Sequence, residues 1–430
     1  MIEQLLDLAL QQGAEAAEVF QSRSHTRPVY FEANRLKQLE SVESEGLSLR
    51  VWCNGQPGLA VAYGEVSAQE MVQRALGISR LNPPQTPELQ DPYPMANLDV
   101  GQAVSVEQLL SWGRESIRQI RDLYPETLCT AAWECDHEQT RLANTAGLDC
   151  SYTDITLSSD VTVEWVRGDD FLTVSDGESQ RDRLHPSKIT QEILQRLAWA
   201  KENVSCPSGR LPVLFTAKAA DLLWGTIQAA LNGKQALEQA SPWGSRLHQQ
   251  VLSPGLTISQ QPQLGPYSCP FDDEGTPTRP LTFVKDGVLQ LFYCDRRIGR
   301  LMGSGSTGNG FRPGLSSYPT PGLFNLMIEP GSGSLEDLIA ELDHGIIVDE
   351  ILGSGGGLSG DFSINVSLGY RVENGQILGR IKDTMVSGNV YTALQNLVRL
   401  GGDARWQGSC YTPSILVEGL SVTGQSTINS

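Results

Sequence analysis

The chain has 430 residues, 40% of them hydrophobic, with a formal net charge of -18 and a sequence pI of about 4.7. That length suggests two or three domains, and the acidic balance argues against nucleic-acid binding, whose affinity comes mostly from basic groups on phosphates. No run of apolar residues is long enough to predict a membrane span, and eight scattered cysteines without a CxxC pair read as small buried thiols of a reducing, cytoplasmic compartment.

Residues 2–12 place Ile2, Leu5, Leu6, Ala9 and Leu10 on one helical stripe that Gly13 ends. Glu3 and Asp7 in that stretch, and the lack of a basic start, read as an amphipathic helix and not a signal peptide. From Ala17 to Tyr63 the pattern alternates as strands, with Asn54-Gly55 as a hairpin signal. Residues 67–80 return to helical spacing, with Ser67 as the N-cap. The Pro-rich run 82–94 reads as an exposed connector, followed by a helix over 105–123. Residues 127–175 are again strand-like, a helix fits 187–202, and CPSGRLP at 206–212 is the candidate domain boundary.

The second half opens with the strand PVLFT and a helix from Ala217 to Leu231. Asp286-Gly287 and Asn374-Gly375 mark two more hairpins. Glycines crowd at 303–310 and 353–357, a capped helix starts after Ser334 with Asp337 at its third position, and a helix over 388–400 precedes a last strand, PSILVEGLSV. Strands arranged in hairpins, with helices in separate runs, predict an α+β fold. The expected organisation is an N-terminal sandwich-like domain over 1–207 with antiparallel strands, and a mostly antiparallel β domain with a few helices over 208–430.

Local motifs carry little chemistry. A helical zinc site needs two imidazoles one turn apart, yet no two of His25, His137, His185, His248 and His344 are so spaced. In His137-Glu138-Gln139-Thr140-Arg141 a cation stands where a second ligand belongs, and Cys135 with His137 makes at most a weak pair. Gly303 to Gly308 spells GxGxxG, but a helix-like run precedes it and a loop follows, the reverse of a dinucleotide site. Asp272-Asp273-Glu274 could hold a hard cation; the plainer reading is a solvated turn or pairing with neighbours such as Arg279.

The succession FDDEGTPTRPLTFVKDGVLQLFYCDRRIGRLMGSGSTGNGFR, then NLMIEPGSGSLEDLI, GIIVDEILG, GDFSINVSLGYRVENGQI and PSILVEGLSVTG, resembles the C-terminal domain of the TldD/PmbA family, once called modulators of DNA gyrase. The resembling motif positions are Asp272, Asp273, Glu274, Gly275, Thr307, Gly308 and Asn309. The TldD branch of that family carries HExxxH on the helix after the opening strand of this domain, and a cysteine near the C-terminus as third zinc ligand. Here the approximate register puts Trp224 and Ala229 at the histidine positions and Gly225 at the glutamate, and residues 211–247 contain no histidine. Cys410 sits close to the last strand and reads as a core or loop thiol.

The resemblance therefore implies the TldE/PmbA branch: a non-catalytic subunit with no cofactor of its own and the zinc on a TldD-type partner. It implies a heterodimer, with a homodimer also open, acting on extended, unfolded peptides, while the acidic balance and the lack of an apolar span argue against nucleic acid and membrane as partners. Two other readings stand beside it. One is a stand-alone hydrolase using the acids at 272–274; the other is a regulatory binding protein of a gyrase-related system.

Overall fold

The computed structural model describes residues 1–94, 98–353 and 355–424. Its described strands form two eight-stranded sheets, a six-stranded one and a two-stranded pair, with the helices in separate runs, so the fold is α+β. In the first sheet the long strands Ala16–Glu32, Val42–Cys53, Leu128–Asn144 and Asp149–Arg167 lie side by side, antiparallel throughout. Asn54-Gly55 joins Val42–Cys53 to Gln56–Tyr63; both turn residues have positive φ, 51° and 69°, as a tight hairpin requires. Asp286-Gly287 and Asn374-Gly375 do the same further on.

Helices cover this sheet at two places. Ile2–Gln11 and Ala68–Ser79 pack Leu5, Ala9, Met71 and Val72 on Val19, Leu49 and Val51. Val106–Leu123 and Pro186–Trp199 pack Leu109, Ile120, Ile189 and Ile193 near Val29, Trp133 and Val161. The connector 82–94 has no helix or strand but is no free linker. Asn144 donates to Gln90 O at 2.9 Å, Arg296 donates to Leu89 O at 3.1 Å, and Glu88 pairs with Arg300 at 2.6 Å, so it is strapped to both halves of the chain.

The second large sheet closes on itself. Gly209–Phe215 pairs with His344–Leu352 and Ile415–Thr423, the latter pairs with Thr384–Asn389, that strand with Asp361–Glu373, and Asp361–Glu373 returns to His344–Leu352. Both faces are buried, which is why PVLF, GIIV and SILV are continuous apolar runs. Val213, Phe215, Ile346, Val348, Ile415 and Val417 face one core, with the helix Asp221–Leu231; Leu214, Ile347 and Leu416 face the other, which they share with Trp133 and Val161 of the first sheet. One apolar core thus spans both sheets.

Two sequence expectations need correction. The helix expected over 388–400 is only Val390–Gln395, because Leu397–Leu400 is drawn into pairing with the last strand. The helix expected from Ala217 begins at Asp221, after a turn in which Ala220 N already bonds back to Thr216 O. Ser67 precedes its helix but makes no side-chain cap, whereas Ser334 and Asp337 form a full capping box. All eight cysteines are unpaired, seven of them buried. No described helix is long and apolar enough to cross a membrane.

Candidate functional site

The helix Asp221–Leu231 follows directly from the strand Gly209–Phe215, and its exposed side faces an open cleft of about 440 Å³. Lys218, Asp221, Gly225, Thr226, Ile351 and Gly353 are among the residues that line the cleft. Lys218 Nζ reaches Ser175 Oγ at 3.0 Å and pairs with Glu350, so its charge is committed to a contact between the two sheets. Gly225 is exposed, and a Cβ there would meet nothing within 4 Å. Ala229 is half-buried and lies outside the cleft lining. Trp224 points the other way: it is fully buried, and its indole Nε1 donates to Thr412 Oγ1 at 2.7 Å. Thr412 ends the short strand Cys410–Thr412. The buried Cys410 on that strand has its thiol pushed well up, by burial first and by the charge of Asp221 second.

Two of the FDDEG acids, Asp272 and Glu274, are buried, and Asp273 is half-buried. Asp272 is fully buried, with Oδ1 accepting from Glu274 N at 3.0 Å and Thr276 N at 2.8 Å, and Oδ2 accepting from Gly310 N at 2.8 Å. Burial raises its pKa, and the neighbouring Glu274 carboxyl raises it further. Asp273 Oδ2 accepts from Arg312 N at 2.7 Å; burial pushes its pKa up to about 6 against the pull of that N–H and of the Arg312 charge. Glu274 Oε2 accepts from Arg296 N at 2.8 Å, and burial raises its pKa in spite of the Arg50 guanidinium 4.0 Å from Oε1. Arg279, the partner expected from the sequence, is exposed; Arg50, Arg296 and Arg312 hold these acids instead.

The same cluster ties the sheets together. Glu18 and Arg50 come from the first sheet and pair at 2.9 Å; Arg312 reaches Glu18 at 3.1 Å, with side chains 8% exposed or less throughout. Sequence reasoning misses this clamp, although charged residues set inside apolar strands, Glu18 beside Val19 and Arg50 between Leu49 and Val51, are its signal. Gly275 turns the loop beneath Leu148 and Leu142 with φ 74°.

GxGxxG serves the same join. Gly303, φ 73°, ends the helix Arg296–Met302, and a short strand, Gly310–Phe311, follows. Thr307 Oγ1 accepts from Cys294 N at 2.7 Å and lies 2.8 Å from Asn309 Oδ1; the fully buried Asn309 donates to Gln260 Oε1 at 2.6 Å and Gly322 O at 2.8 Å. Gly308, φ 76°, passes so close to Pro277 that a Cβ would sit 2.6 Å from its carbonyl oxygen. The motif positions 272–275 and 307–309 therefore form one buried brace away from the cleft.

Residues 208–424 match the model of the PmbA/TldA metallopeptidase C-terminal domain, and residues 17–79 match the model of PmbA/TldA metallopeptidase domain 1. The chain belongs to the PmbA/TldD family. It is 28% identical to metalloprotease PmbA of Escherichia coli O157:H7 over 59% of this chain and 57% of that protein. It is 29% identical to a metalloprotease TldD homolog of Haemophilus influenzae over 53% and 47% of the two chains. The matches thus span about half the length of these curated relatives. Among solved structures, TldE from Thermococcus kodakarensis has the same fold, with a TM-score of 0.91 at 23% identity over 98% of this chain and 99% of that one.

PmbA/TldD metallopeptidase chemistry calls for a metal, and the residues around the cleft do not suit one. Zinc takes thiolate, imidazole or carboxylate ligands converging in a tetrahedron. Here Trp224 spends its one polar atom on Thr412, Cys410 is a buried thiol on the strand that Thr412 ends, and no imidazole lies on the helix. Among the described residues no group of three or more His, Cys, Asp or Glu side chains stands ready to hold an ion.

Proposed function

We propose that this chain is a non-catalytic, TldE/PmbA-type subunit of a zinc metallopeptidase assembly that degrades or trims unfolded peptides, with the metal carried by a TldD-type partner. The observation that carries this reading is the inward-facing, hydrogen-bonded Trp224 on a helix without histidine, at the approximate place where the TldD branch carries its motif. A residue there that can neither ligate a metal ion nor take a proton from water leaves the water-activating step to another chain. The eight unpaired cysteines support a reducing, cytoplasmic setting. The alternative hydrolase is disfavoured because Asp272 is fully buried and both of its oxygens already accept backbone N–H groups.

The test is to purify the chain alone, a TldD-type partner alone, and the two mixed, and to follow cleavage of an unstructured peptide. Activity is expected only when the partner is present, and is expected to rise in the mixture. Full activity of this chain by itself, with no gain from the partner, would defeat the proposal.

A further inference from the structure

The first sheet has an edge that no described strand completes. Arg35–Leu39 and the start of Val42–Cys53 form it together: Leu39 stands opposite Val29 and Val42 opposite Thr26, one continuous register against Ala16–Glu32. Gln56–Tyr63 flanks the outer side only from Gly46 onward. Before that point no described strand pairs there. Residues 35–45 are all exposed save Glu40, and the apolar Leu36, Leu39 and Val42 are 39%, 49% and 47% exposed.

Main-chain groups along an antiparallel strand point alternately to its two sides. Glu40 N–H donates inward to Pro28 O at 3.2 Å, so Leu39, Ser41 and Glu43 turn their N–H and C=O groups outward. The next residue in that series, Glu45, already uses its C=O to accept from Gly64 N at 3.2 Å, just past the end of the neighbouring strand.

Pockets lie at both ends of this edge. His25, Val29 and Phe31 alternate onto one face of the sheet, and both pockets open on that face. Toward Arg35, Leu36 stands opposite the buried Phe31, and the two line an open pocket of about 600 Å³ with Ile117 of the helix Val106–Leu123. Arg35 and Arg114, which also line it, make no ion pair or hydrogen bond among the described residues, whereas Arg118 is neutralised by Glu115 at 2.6 Å and Asp122 at 2.7 Å. At the other end, His25 stands opposite both Glu43 and His137, and all three line an open pocket of about 320 Å³. Glu43 has no ion pair or hydrogen bond among the described residues, while Glu45 is taken by Arg23 at 2.9 Å. One end thus offers unpaired cations over an apolar floor, and the other an unpaired carboxylate.

We propose that the edge 35–45 captures an extended, unfolded peptide segment as an added strand. Strand addition draws affinity from main-chain hydrogen bonds and selectivity from pockets for alternate side chains, and this edge supplies both. An added strand that continues the antiparallel order of the sheet runs from the Glu43 end to the Arg35 end. It sets a basic side chain against Glu43 and, about six positions later and roughly 20 Å along, an acidic one against Arg35 and Arg114. A second copy of this chain fits the edge less well, since each copy carries a net charge of -18 and two copies repel. The inference rests on the subunit reading only for the class of ligand. The edge belongs to the first sheet and not to the cleft at Asp221–Leu231, so binding by this chain alone is tested separately from cleavage by the mixed subunits.

The probe is an unstructured, fluorescein-labelled peptide of about twelve residues, with Lys near its start and Glu about six positions later. Its anisotropy is expected to rise on titration with the full chain. The same residues in reverse order should bind severalfold more weakly, and Arg35→Glu and Glu43→Lys should each weaken the forward peptide. Ser41→Pro deletes an outward N–H and keeps the inward pairing, a substitution that edge strands tolerate. It should weaken binding about tenfold, whereas Ser41→Ala, which keeps the N–H, should not. Infrared spectra of a carbonyl-labelled peptide should show β-sheet pairing when it binds wild type, a readout that needs no variant to fold. No binding by wild type, a bound peptide without the β-sheet signature, or equal affinity in Ser41→Pro and Ser41→Ala would overturn the proposal. So would a dimer in sedimentation that Ser41→Pro dissociates, which would give the edge to a second copy.

Discussion

Replacing Asp273 by Asn tests whether the family motif is a buried electrostatic brace. Asparagine keeps the shape and an acceptor oxygen for Arg312 N, now 2.7 Å from Asp273 Oδ2, and removes only the titration. Burial lifts the Asp273 carboxyl from 3.8 to about 6, so the folded protein holds this proton more tightly than the unfolded chain does. The stability linked to that proton is complete below about pH 4 and is lost as pH rises through about 6. The full effect is about 3 kcal/mol, since a tenfold change in proton affinity is worth about 1.36 kcal/mol. About 1.4 kcal/mol of it remains to be lost between about pH 5 and pH 8. Urea unfolding of wild type and Asp273→Asn, followed by tryptophan fluorescence over that range, gives the gap at each pH, and other titrating groups cancel in the difference. The wild type is expected to lose ground to the variant as pH rises. A gap that stays constant, or that moves the other way, would show that Asp273 is not enclosed as described.

Arg312→Met removes a guanidinium whose side chain is 2% exposed and leaves the fully buried Glu18 with Arg50 alone. Breaking a buried pair from one side costs about 3–5 kcal/mol, and a loss under about 1 kcal/mol in urea unfolding would contradict the clamp. Gly308→Ala meets both a left-handed backbone, φ 76°, and the Pro277 carbonyl at 2.6 Å. It should cost about 2–4 kcal/mol, against about 1 kcal/mol for Gly305→Ala, where φ is 74° and the space is open. Equal thermal shifts for the two would remove the close-approach argument.

Much of the architecture is legible in the sequence because it rests on local rules. Asn54-Gly55, Asp286-Gly287 and Asn374-Gly375 turn the chain where the sequence puts them, since few residue pairs accept two positive φ angles in succession. Continuous apolar runs such as GIIV announce strands buried on both faces. The FDDEG acids stand out in the sequence but read as solvated, because nothing local says that Arg50, more than 200 residues earlier, and Arg312 will close over them. The 82–94 connector reads as free for the same reason: its partners Arg296 and Arg300 are distant in the chain.

The sequence by itself determined that helix 221–231 carries no imidazole, and the succession of motifs that assigns the family. Tertiary structure alone decided that Trp224 turns inward onto Thr412, that the motif acids brace two sheets, and that His25 and His137 stand opposite each other. Identity and short-range spacing are written residue by residue. Which side chains share a buried space depends on strand register and sheet packing, and those are set by the whole apolar pattern at once.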